Sequence, residues 1–65
     1  MRKNKFTKGR QIISLNDLLF ILENGLWVYW NDSPKHPSIL WHMQLGTLKD
    51  AIKAGILYVA LEELP

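Results

Sequence analysis

Chemistry in this chain has few residues to work with. The two histidines, His36 and His42, stand six apart, not at the i, i+4 spacing that puts two ligands on one helical face, and no third ligand neighbours them. With no cysteine in the chain, thiolate zinc sites and disulfides are excluded. Ser33, His36 and Asp32 spell out a nucleophile, a base and an acid. They share one segment with Pro34 and Pro37, however, and nucleophilic catalysis needs a rigid scaffold to hold such a set in place. Ser14 and Ser38 sit where helix caps and turns explain them. Gly9, Gly25, Gly46 and Gly55 are isolated and offer no phosphate cradle, and Lys8, Gly9 and Arg10 match no phosphate-loop pattern. The expectation is a non-enzymatic protein with no catalytic residue, no metal and no cofactor.

Recognition is better supplied. Trp27, Trp30 and Trp41 join Tyr29 and Tyr58 in a chain of 65 residues. A chain this short covers only about 60% of the surface it exposes when unfolded, so burying three tryptophans is hard. Exposed Trp and Tyr are the usual anchors of protein interfaces. Alternation along a strand sets Trp27 and Tyr29 on one sheet face and Val28 and Trp30 on the other. The partner-binding set read from these residues is Trp27, Tyr29, Trp30, Asp32, His36 and Trp41, with residues 31–38 as a polar rim.

Charge is unevenly divided. Arg2, Lys3, Lys5, Lys8 and Arg10 place five positive charges in the first ten residues. Beyond them, Lys35, Lys49 and Lys53 stand against Asp17, Glu23, Asp32, Asp50, Glu62 and Glu63, a balance of −3 that leaves the whole at +2. Residues 1–10 therefore read as a basic, flexible arm and residues 11–65 as one small domain. An alternative nucleic-acid use would draw on Arg2, Lys3, Lys5, Lys8 and Arg10 in the arm with Lys49 and Lys53 on a helix, giving weak, salt-dependent contact with duplex phosphates. Base stacking on the aromatic residues is disfavoured, because the cations sit in the arm while the aromatic body is net acidic. No long apolar stretch follows the basic residues, as a signal peptide would require. The longest apolar run, residues 18–22, is far short of the roughly 20 residues needed to span a membrane. A soluble, cytoplasmic protein with no membrane contact is expected.

The elements that must position these residues can be read from spacing. Residues 10–13 suit a short strand. Ser14 with Asp17 forms a capping box opening a helix over 15–24, whose Leu15, Leu18, Leu19 and Leu22 share one face, and Gly25 stops it. Residues 26–30 read as a strand and 31–38 as a loop. Trp41, Leu45, Leu48 and Ile52 recur at helical spacing, predicting a helix over 39–54 kinked near Gly46. A strand over 38–46 followed by a fresh helix capped by Thr47 and Asp50 is the competing reading. Gly55 ends the helix, and 56–61 form a final strand. The fold class expected is α+β, with two helices packed on a small, mainly antiparallel sheet of about three strands. An apolar final strand at an open edge would pair across a two-fold axis, giving a homodimer and enlarging a marginal core.

Lys8 and Gly9, Ile12, Ser14 and Leu15, His36, Gln44 and Leu45, then Ile52, Gly55, Tyr58 and Ala60 resemble a loose family of small uncharacterised proteins found in phages, prophages and other mobile elements. The sequence departs from that pattern at Ile39, where a large aromatic is expected after the histidine, and in the segment holding Pro34 and Pro37. No site residue is carried over. What the resemblance implies is an accessory protein that binds and inhibits or redirects a host protein complex, such as a defence nuclease or a polymerase. A small DNA-binding regulator using the arm and the 39–54 helix is the alternative.

Overall fold

The computed structural model describes residues 5–63. Along the chain run β1 (Lys5–Gln11), α1 (Leu15–Glu23), β2 (Trp27–Trp30), β3 (Ser33–Lys35), α2 (Pro37–Trp41), α3 (Leu45–Ala54) and β4 (Leu57–Glu63). The strands form one antiparallel sheet in the order β1-β4-β2-β3. The fold class is α+β, and the described residues hold three helices and four strands where two and about three were expected.

The fourth strand, β3, comes from a segment read as a loop, and β1 begins five residues before the strand expected at 10–13. Residues 5–10, assigned to a flexible arm, are paired with β4 through Lys5 with Glu63 to Lys8 with Ala60. In this strand Phe6 and Lys8 fall on one face and Thr7 on the other, so no alternation of apolar with charged residues marks it in the sequence. Its pairing makes β4 a central strand, which corrects the expectation of an open edge at 56–61. Arg2 and Lys3 lie outside the described residues. In the 31–38 segment, Asn31 adopts a left-handed φ of 61° and closes a tight turn from β2 into β3. Pro34 is tolerated because β3 is an edge strand. His36 then caps α2, accepting the Ser38 N–H at Nδ1 (3.1 Å), with Pro37 at the start of the helix.

The helix expected over 39–54 is two helices, and the break falls at residues 42–44, not at Gly46. Gln44 stands in extended conformation as the N-cap of α3, so Thr47 lies inside that helix and does not cap it. Breaking the chain here lets Leu40, Leu48 and Ala51 reach the core, while Trp41 and Leu45, part of the predicted stripe, stay exposed. The core they join is aliphatic: Ile12, Leu18 and Ile21 with Val28 and Leu57 from the sheet. At α1 the expected cap holds, since Ser14 Oγ accepts the Asp17 N–H at 3.1 Å. Gly55 ends α3 with φ 75°, a left-handed position suited to glycine.

Candidate interaction surface

Paired residues of a sheet share a face, so the register sorts the aromatic side chains. Val28 faces Val59 and Trp30 faces Leu57 on the side covered by the helices, where Trp30 packs half-buried against the core. Trp27 faces Ala60 and Tyr29 faces Tyr58 on the other side. Trp30 is thereby separated from Trp27 and Tyr29, as alternation requires. The outer side is joined by Phe6 from β1. Because Ala60 between them is small, Phe6 and Trp27 stack above it with ring centroids 4.5 Å apart and an interplanar angle of 28°. His36 meets Trp27 edge-on at 5.2 Å. The Tyr29 hydroxyl donates to the Phe6 carbonyl oxygen at 2.8 Å, reaching across β4.

Lys8 completes this face. Its ammonium lies 4.7 Å from the centroid of Tyr58 and 3.0 Å from an oxygen of Asp32, a residue of the β2 to β3 turn that is 86% exposed. The expected separation of basic arm from aromatic body therefore does not hold: β1 carries a cation onto the aromatic face, where an acid already neutralises it. Arg10 is also engaged. Its guanidinium makes two bonds to Asp17, at 2.6 and 2.7 Å, tying β1 to the first turn of α1. That hydrogen-bonded pairing holds the Asp17 carboxyl below its usual range, against the opposing effect of burial, and holds Arg10 above its ordinary value. Lys5 contributes backbone to β1. Lys49 and Lys53 are exposed on α3, one turn apart.

The expected partner-binding residues are divided between the two ends of the domain. At one end β1 begins, β4 and α1 finish, and α2 and the start of α3 lie; Trp27, His36 and Trp41 belong there. At the other, β2 turns into β3, placing Trp30 and Asp32, with Tyr29 near the middle. The first end also gathers apolar side chains that the sequence reading left out: Phe20, Leu26, Ile39, Leu45 and Leu61. With Trp41 these are exposed by 44% (Leu26) to 63% (Phe20). A helical stripe read through Leu45 hid its exposure, since periodicity shows a face but not whether the helix breaks. Phe6 stands between polar residues in the sequence, and only its pairing in β1 brings it to Trp27.

The Ser33, His36 and Asp32 set is not assembled. Asp32 pairs with Lys8, while His36, beyond the far end of β3 from Asp32, engages Ser38. His42 Nδ1 lies 2.7 Å from the Ser38 carbonyl oxygen. Among the described residues no group of three His, Asp or Glu could hold a metal, and no helix is long and apolar enough to cross a membrane. No family model, curated protein or solved structure matches the chain.

Proposed function

We propose that this chain is a non-enzymatic accessory protein that docks a host protein on the aromatic outer face of its sheet, inhibiting or redirecting the complex to which that protein belongs. The assignment to a phage or other mobile element rests on the sequence resemblance, and the docking mode rests on the face. The observation that carries it is the engagement of the rings with one another: Trp27 lies between Phe6 and His36, and Lys8 lies over Tyr58 and against Asp32. Base stacking needs free ring faces and an unneutralised cation beside them, and here Phe6 and Trp27 stack on each other while Lys8 is engaged by Asp32 and Tyr58. Rings fixed in advance lose little entropy on docking, which favours a protein partner.

The DNA-regulator alternative draws on a continuous 39–54 helix and a free arm. α2 and α3 are separate, and Lys8 and Arg10 are paired with acids. Its remaining cations with described side chains on a helix, Lys49 and Lys53, stand one turn apart on α3.

Capture from host lysate followed by mass spectrometry, then titration of the purified partner, tests the proposal. Trp27→Ala and Tyr58→Lys should each weaken partner affinity by roughly tenfold or more, with folding checked by circular dichroism. Affinity unchanged in both folded variants overturns the docking face. Salt-sensitive binding of a labelled oligonucleotide, lost in the same variants, would replace the protein partner with nucleic acid.

A further inference from the structure

A second group of exposed side chains lies at the end of the domain where Trp27 and His36 also stand. Leu61 lies in β4 opposite Thr7, and Leu26 immediately precedes β2, with its N–H donating to the Ile21 carbonyl at the end of α1; both side chains are exposed. Ile39 and Trp41 lie on α2, Leu45 opens α3, and Phe20 is on the last turn of α1. Chain topology brings all of these elements to one end. Ile13 is the one comparably large exposed apolar side chain recorded at the opposite end among the described residues.

We infer that this apolar end is a contact site for a second copy of the same chain. Summed over the six side chains, on the order of 600 Å² of apolar surface is exposed on the last turn of α1, on α2, at the start of α3 and on β4, an amount comparable with an ordinary monomer's largest patch. It is most of the roughly 800 Å² that each partner brings to a standard interface. None of the six is charged, so two copies of the patch can meet without burying an unpaired ion. The flanks carry both signs: Glu23 ends α1, close to Phe20 and Leu26, and Lys49 stands one turn beyond Leu45. In a two-fold contact residue i meets j while j meets i, so each copy's Lys49 can face the other copy's Glu23 at the rim. Association by sheet extension is opposed at both open edges. β1 is irregular between Lys8 and Gln11 and carries lysines, and β3 contains Pro34.

The six side chains are not among those of the outer face, so variants at them test this inference apart from the docking reading. Sedimentation equilibrium of the full chain from low micromolar to millimolar concentration should show a reversible monomer–dimer equilibrium. Trp41→Glu and Leu45→Glu should each raise the dissociation constant by roughly tenfold or more, leaving thermal unfolding of the monomer nearly unchanged because both positions are half exposed. Amide shifts on dilution should concentrate at residues 26, 39, 41, 45 and 61 and spare Tyr29 and Tyr58. A monomer throughout that range overturns the inference, as does a dimer indifferent to both variants or one whose shifts map to the outer face. Pelleting of the monomer with anionic vesicles, lost in Trp41→Glu, would assign the end to a lipid surface and also overturn it.

Discussion

The two ends of this domain are finished in different ways. Where β2 turns into β3 and α1 begins, polar groups find partners inside the chain. Arg10 grips Asp17, Lys8 reaches Asp32, Ser14 caps α1, and the Asn31 N–H donates to the Ile56 carbonyl at 2.8 Å. Where α1 ends and α2 lies, Asn24, His36 and His42 also bond within the chain, but half-exposed aromatic and aliphatic side chains stand beside them. The polar end closes the fold with directional bonds and needs nothing further. At the apolar end, hydrophobic surface has been produced but not covered, and covering it is the favourable event that remains available. The difference teaches that directional closure of the fold and uncovered apolar surface are concentrated at opposite ends of the strands.

If that segregation is right, neighbouring residues of one short helix should behave oppositely. Leu40 is fully buried and Trp41 is 50% exposed. Leu40→Ala should cost about 2–5 kcal/mol, through lost transfer energy and the cavity left behind. Trp41→Ser should change monomer stability by no more than about 0.5 kcal/mol. Urea unfolding of both variants at a concentration below association checks the pair. A Trp41→Ser loss matching that of Leu40→Ala would mean that the apolar end belongs to the core.

Two glycines sharpen the contrast at smaller scale. A Cβ on Gly9 would come within 3.0 Å of the Val59 carbonyl oxygen and 3.2 Å of Leu61, where β1 and β4 fall out of register. Gly9→Ala should therefore destabilise by about 1–3 kcal/mol, since backbone must shift. A Cβ on Gly46 meets nothing within 4 Å, inside α3. Gly46→Ala should stabilise, by about 0.4–1 kcal/mol. Thermal melts read the opposite signs directly. At the polar end, Ser14→Ala removes the side-chain acceptor for the Asp17 N–H and should cost about 1 kcal/mol.

Local grammar was the legible part of this fold. The cap at Ser14, the α1 stripe of leucines, the glycine stops and the alternation separating Trp27 from Trp30 all depend on neighbours a few residues away. Sequence shows those neighbours directly. What was hidden depends on distant partners. Lys5 to Lys8 look like a soluble tail until β4, more than fifty residues later, offers them a ladder. Asn31 and Pro34 look like loop residues until an edge strand gives each a use. Trp41 and Leu45 fit a stripe with Leu48, yet tertiary packing preferred Leu40 and broke the helix to bury it. The candidate surface was half legible for the same reason. Trp27 and Tyr29 follow from period two and His36 was expected with them, whereas Phe6 and Lys8 join them only through the sheet order.

The subtlest difference between the ends should appear as a pH effect. Asp17 is largely covered, with its side chain 17% exposed, and its carboxyl is held below the usual range chiefly by the Arg10 hydrogen bonds. A carboxyl whose folded pKa is depressed binds its proton less readily in the native than in the unfolded state. Its stabilising contribution is therefore complete above the unfolded value of about 3.9 and is lost as pH falls through the folded value. Asp17→Asn should be slightly less stable than the parent at neutral pH, and the gap should close on acidification below about pH 4 and narrow in high salt. Asp17 also lies in the first turn of α1, where a negative charge favours the helix, so Arg10→Gln separates the two effects by removing the pair and leaving the carboxylate. A parent and Asp17→Asn that differ by the same amount at pH 7 and pH 3 would show that the ion pair contributes nothing to closing the polar end. The Ser14 cap and the turn at Asn31 would then account for that closure without it.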